Sequence, residues 1–103
     1  MEYSVSWDER TAEDFRRIDG RPQAIIRKIH NLAKTLPDSL KLKGVQPIVE
    51  AIDGYYEIDV GKNRVAIFVD HDYQRVQVCF LASHDVFHGY LRDQQLNLRN
   101  PPL

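Results

Sequence analysis

Apolar and polar residues alternate three times between Gly54 and Ala82, in GYYEIDVGKNRVAIFVDHDYQRVQVCFLA. Tyr56, Ile58 and Val60 mark the first run, Val65, Ile67 and Val69 the second, and Val76, Val78 and Phe80 the third. A period of two is the signature of a strand with one buried face, so the stretch predicts an antiparallel meander. Gly61-Lys62-Asn63 supplies the first turn, because Gly and Asn tolerate positive φ, and Asp70–Gln74 a looser second one. By the same alternation the opposite face presents Tyr55, Glu57, Asp59, Arg64, Phe68, Gln77 and Cys79. That face is either a solvated sheet surface or a site.

Ahead of the meander the period changes. Residues 2–7 predict an opening strand with Tyr3, Val5 and Trp7 on one face. Asp8 offers an N-cap to ERTAEDFRRI, where Ala12, Phe15 and Ile18 are spaced for one helical face and Asp19-Gly20 ends the helix. Pro22 suits the first turn of a second helix, which runs to about Leu36 with Ile25, Ile26, Ile29, Leu32, Ala33 and Leu36 on one stripe. Pro37 stops it. Leu40–Gly44 reads as an extended connection, and Val45–Asp53 as a loop or a short strand at VEAI. After the meander, Val86, Phe87, Tyr90 and Leu91 predict a short helix within Ser83–Gln95.

The predicted fold class is therefore α+β: an N-terminal strand, a helical hairpin, an antiparallel meander and a short C-terminal helix. One sheet and one helical layer account for it. A chain of 103 residues is one domain, placed at 1–96, with 97–103 as an exposed tail.

Composition adds little specificity. Hydrophobic content of 43% and charged content of 28% are ordinary for a globular domain. No apolar run approaches the ~20 residues that span a bilayer, and no signal-peptide pattern opens the chain. With Cys79 as the single cysteine, no internal disulfide exists and a reducing cytoplasm is expected. The net charge of -1 argues against a protein coated in positive charge for nucleic acid. Basic residues nevertheless cluster at Arg16-Arg17, Arg21, Arg27-Lys28, Lys34, Lys41, Lys43, Lys62 and Arg64.

Four pieces follow one another: the strand YSVSW, a helical hairpin stopped at Leu36-Pro37, Leu42-Lys43-Gly44, and the hairpin YYEIDVGKNRVAIFVD. This order resembles the RelE/ParE toxins of bacterial type II toxin–antitoxin systems, over roughly residues 3–90. The family's hairpin reads like Tyr-x-Ile-Arg-Val-Gly-x-x-Arg-Val with an acidic strand end. Tyr56, Ile58, Val60, Gly61, Arg64, Val65 and Asp70 stand in those places here. The chain departs from the pattern at Asp59, where the family carries Arg. It departs again at Ser83-His84-Asp85-Val86-Phe87, which lacks the usual Arg and has Phe near the expected Tyr.

The resemblance implies a toxin that works with a cognate antitoxin protein and cleaves mRNA on the ribosome, without cofactor or metal. Such cleavage needs a base for a ribose 2′-OH, an acid for the leaving 5′-oxygen, and positive charge around the phosphorus. The candidates are Glu57 or His84 as base, His84 or His88 as acid, and Arg64 as the cation, with Lys41, Lys43 and Lys62 to bind RNA phosphate. Two further classes stay open: a ParE-like toxin acting on DNA gyrase by binding alone, and an inert member that only binds its antitoxin.

Each candidate also has a bland account. Arg64 pairs with Glu57 or Asp59 across the turn; His84 and His88, four apart, are surface histidines rather than metal ligands; Asp70-His71-Asp72 is a polar turn; Cys79 is a packed thiol. Tyr55 and Phe68 either stack on bases or pack beneath a neighbouring segment.

Overall fold

A computed structural model describes residues 2–18, 20–48 and 54–93. Five strands form one mixed sheet: β1 (Ser4–Trp7), β2 (Val45–Pro47), β3 (Tyr55–Val60), β4 (Asn63–Asp70) and β5 (Arg75–Ser83). Their order across the sheet is β1-β5-β4-β3-β2, with β1 parallel to β5 and every other pair antiparallel. Helices α1 (Thr11–Arg17) and α2 (Pro22–Lys34) connect β1 to the far edge, and α3 (His84–Asp93) follows β5.

The first face of the sheet is built as the alternation dictates. Ile58, Val65, Ile67, Val69, Val76 and Val78 pack against Ile25, Ile29, Leu32 and Ala33 of α2, with Tyr3 and Leu36 completing the core. The stripe on α2 is narrower than its sequence suggests, since Ile26 lies on the exposed side. That helix also closes at Lys34, one turn short of Pro37.

In α1 the buried positions are Thr11 and Asp14, while Ala12 faces solvent. The reason lies in the neighbouring strand. β1 ends at the pair Trp7–Val78, but β5 continues to Ser83, leaving its outer edge without a strand partner. Asp14 fills the gap, its Oδ2 accepting the Leu81 N–H at 3.2 Å. A buried N–H needs such an acceptor, and this requirement overrides the apolar spacing. Asp8 is not the N-cap: α1 begins later than expected, at Thr11 after Arg10. Asp8 forms the turn leading into it, its carboxylate accepting the Arg10 N–H at 3.0 Å and its carbonyl the Thr11 N–H at 2.9 Å.

Three further expectations change. Asp38–Lys41 forms a short 3-10 turn rather than an extended link, and the added strand is Val45–Pro47. Residues 49–52, the end of the predicted C-terminal helix beyond Asp93, and the tail at 97–103 lie outside the described residues. Asn63 is not a turn residue but pairs with Val60, so Gly61-Lys62 is a two-residue hairpin loop with Gly61 at φ 60°.

The largest departure is a bulge. Ala66 pairs with Phe80 and Ile67 with Val78, so Cys79 is an extra residue in β5. The extra residue shifts the pleat by one, and Phe80 leaves the face shared by Val76 and Val78. It joins Tyr55, Ala66, Cys79, Ala82 and Ile48 in a second core, closed by Phe87 and Leu91 of α3. The sheet therefore carries a helix on both faces, not one helical layer. No helix among the described residues is long and apolar enough to cross a membrane.

Candidate functional site

The second face ends in a cluster of charge where α3 meets the β3–β4 hairpin. Register places Asp59 directly opposite Arg64. The Arg64 Nε donates to Asp59 Oδ1 at 2.8 Å, and its Nη1 stands 3.4 Å from Glu57 Oε1 and 3.4 Å from His88 Nε2. The guanidinium also lies over the Phe87 ring, 5.6 Å from its centroid. His84 Nε2 stands 3.3 Å from the same Asp59 oxygen. Glu57 takes a further hydrogen bond from the Gln46 side chain on β2.

Burial divides the roles. The Glu57 side chain is 7% exposed and that of Arg64 17%, whereas Asp59 and His84 are each 41% exposed. Glu57 is thus a buried counter-charge that holds the guanidinium, and the His84–Asp59 pair is the part a ligand can reach. Arg64 has no acceptor atom, so the His88 nitrogen facing it must accept. A carboxylate has no donor, so the His84 nitrogen facing Asp59 carries the hydrogen.

Of the residues singled out by sequence, the fold brings Glu57, Arg64 and His84 together, with Asp59 and His88 beside them. Lys62 sits at the hairpin tip, where its carbonyl accepts the His84 N–H at 3.0 Å. An open hollow of about 400 Å³ is lined there by Gly61, Lys62, Asn63, Ser83, His84 and Asp85. Lys41 ends the 3-10 turn and Lys43 precedes β2, both exposed. Among the described residues, neither lysine side chain makes an ion pair or hydrogen bond with this cluster. Their segment meets it through Gly44, whose carbonyl accepts the Asp59 N–H at 2.8 Å.

Sequence reasoning missed Gln46, because β2 is too short to show a period. The pairing of Arg64 with Glu57 or Asp59 that the sequence offers is present with both, and Asp59 reaches His84 as well. The two histidines are four apart on α3 but face different partners, and no group of three His, Cys, Asp or Glu among the described residues is arranged to hold a metal ion. Asp70 does form a polar turn, its Oδ1 accepting the Asp72 and Tyr73 N–H groups.

Away from the rim, the second face is packed rather than open. Tyr55 is buried with its ring 4.8 Å from that of Phe68, which takes it out of the candidates for base stacking. Burial pushes the Tyr55 phenol up to about 12, with the neighbouring Cys79 adding to the rise and Arg10 opposing it. Burial likewise pushes the Cys79 thiol up to about 12, against a lowering by Arg10. Cys79 is an inert packed thiol.

No protein-family model matches the sequence, and no curated protein sequence matches it. Solved structures do. A free mutant form of the Escherichia coli toxin RelE superposes with a TM-score of 0.66 at 14% identity, covering 94% of this chain and 97% of that one. The RelB–RelE antitoxin–toxin complex of Methanococcus jannaschii gives 0.58 at 21% identity, over 82% and 95% of the two chains. The toxin–antitoxin complex RelBE2 of Mycobacterium tuberculosis gives 0.55 at 15% identity, over 82% and 100%. At these identities the likeness is one of fold. The sheet, the helical pair on one face and the terminal helix on the other are those of a RelE-like toxin fold.

Proposed function

We propose that this chain is the toxin of a type II toxin–antitoxin system, held by a cognate antitoxin, and that it cleaves ribosome-bound mRNA. The observation that carries the reading is the half-exposed His84–Asp59 pair, set beside a guanidinium at the rim of a RelE-like sheet. In the reaction the ribose 2′-OH loses its proton and its oxygen attacks phosphorus. The P–O5′ bond then breaks and the departing oxygen takes up a proton, leaving a 2′,3′-cyclic phosphate and a 5′-OH. His84 is the proton-transfer group, oriented by Asp59. Arg64 meets charge growing on the phosphoryl oxygens, and Glu57 holds Arg64 in place. Lys62 binds phosphate at the hollow, with Lys41 and Lys43 on the approach.

A translation reaction reconstituted from purified parts tests this reading. Addition of the protein should yield mRNA fragments with cyclic-phosphate ends, and His84→Ala should abolish them. Fragments that persist in His84→Ala would remove that residue from the chemistry.

One observation favours a second reading. Two carboxylates already meet the charge of Arg64, as a protein acting only by binding would allow. DNA gyrase, or the antitoxin alone, would then be the target. Loss of gyrase supercoiling activity on addition of the protein, without RNA cleavage, would select it.

A further inference from the structure

The acidic residues around Arg64 remove positive charge from the place where an RNA strand would be cut. Positive charge is concentrated elsewhere. Between Phe15 and Pro37 the sequence holds six arginines and lysines against one carboxylate, Asp19. On α2 there is no carboxylate, and Arg27, Lys28 and Lys34 are all exposed. This helix covers the face of the sheet opposite to the candidate site, which raises the question of how one ligand would reach both.

The hairpin tip connects them. The hollow beside His84 is lined in part by Gly61, Lys62 and Asn63. A second open hollow, of about 340 Å³, is lined by the same three residues together with Arg21, Ala24 and Val60, at the start of α2. The two hollows therefore adjoin one tip from its two sides. The tip is open at Gly61, where an added side-chain carbon would meet nothing within 4 Å, and Asn63 beside it is buried. Among the described residues lining either hollow, Asp85 is the sole carboxylate, and it lies on the His84 side.

We infer that this track is a binding groove for the RNA backbone, running from His84 over the Gly61-Lys62 tip to Arg21, and that Arg21 and Lys62 hold phosphates flanking the cleaved bond. The inference rests on the reading of the chain as an RNA-cleaving protein. Single strands are held by cationic grooves that track the backbone, and each phosphate contact adds to the salt dependence of binding. Arg21 suits the task because its side chain caps nothing in α2 and its residue is exposed.

The test uses a 2′-O-methyl RNA of about 12 nucleotides, which cannot be cleaved, titrated by fluorescence anisotropy at several salt concentrations. Arg21→Ala should weaken binding about fivefold and lower the log–log salt slope by about 0.7, the value for one phosphate contact on a single strand. Ala24→Glu, which places a carboxylate in the same hollow, should weaken it at least as much. Lys34→Ala, at the far end of α2, should leave the slope as in wild type. Equal losses in Arg21→Ala and Lys34→Ala would overturn the groove in favour of diffuse attraction, and unchanged binding in Arg21→Ala and Ala24→Glu would overturn it outright. If wild type cleaves mRNA while those two variants bind normally, the groove falls and the functional reading stands. If wild type neither binds RNA nor cleaves mRNA, both fall.

Discussion

Arg64 and Asp59 face each other across the β3–β4 hairpin, joined by an Nε–Oδ1 hydrogen bond of 2.8 Å. The same guanidinium reaches the buried Glu57, and the same carboxylate reaches His84. Arg64, Asp59 and Glu57 are thus each held by at least two partners. The arrangement fixes Arg64 in one orientation, and it makes the site a balanced cluster instead of a positive patch.

Removal of Arg64 tests that balance. In Arg64→Ala the nearly buried Glu57 carboxylate keeps its Gln46 hydrogen bond but loses its cation, and an uncompensated buried charge is costly. A stability loss of about 1–3 kcal/mol is expected in urea unfolding. Arg64→Lys should recover part of it, because a lysine restores the charge without the planar fork. A midpoint unchanged in Arg64→Ala would mean that the carboxylates are hydrated and not held.

Asp14 is predicted to be a structural residue despite its charge. Asp14→Ala leaves the Leu81 N–H without its acceptor inside the protein, at a cost of about 1–3 kcal/mol, and Asp14→Asn should cost less because an amide oxygen can still accept. Hydrogen exchange at the Leu81 amide reads the effect directly: faster in Asp14→Ala, near wild type in Asp14→Asn.

Alkaline pH should weaken the fold through Cys79 and Tyr55. Both are anionic when deprotonated, and burial raises both to about 12 in the folded state. The folded state then binds more protons than the unfolded state between the ordinary values, about 8.5 for Cys and about 10 for Tyr, and about 12. Their contribution is complete below pH 8.5 and is lost as pH rises toward 12. Unfolding midpoints measured from pH 8 to 11 should fall, less steeply in Cys79→Ala. Thiol reagents at pH 8 should react with the native protein far more slowly than with the unfolded chain.

Gly54 cannot be replaced without strain. It has a φ of 104°, and a methyl group there would stand 2.9 Å from Phe68 Cε1. Gly54→Ala should cost more than about 1 kcal/mol in urea unfolding, with the Tyr55–Phe68 packing disturbed. A stabilised Gly54→Ala would contradict this account of the strand's start.

Much of this was legible from pattern alone. Ile58, Val65, Ile67, Val76 and Val78 announce their face by alternation, and Ile25, Ile29 and Leu32 announce theirs by helical spacing. Phe80 misled, because a bulge at Cys79 depends on how two strands pair and leaves no mark on either one. Asp14 and Ala12 misled for a related reason: a polar residue is drawn inward by a backbone group 67 positions away. At the site, the charges of Glu57, Asp59 and Arg64 were visible. That Asp59 would bridge Arg64 and His84 was not, since that contact exists only once α3 is docked. Gln46 gave no signal, being part of a three-residue strand.

The most direct test of the central claim is induced expression in bacteria, comparing wild type with His84→Ala and mapping mRNA ends by primer extension. His84 is exposed enough for its truncation to leave the fold intact. The account predicts growth arrest with new mRNA ends in wild type, both lost in His84→Ala. Arrest without new ends, or no arrest from well-folded wild-type protein, would contradict it.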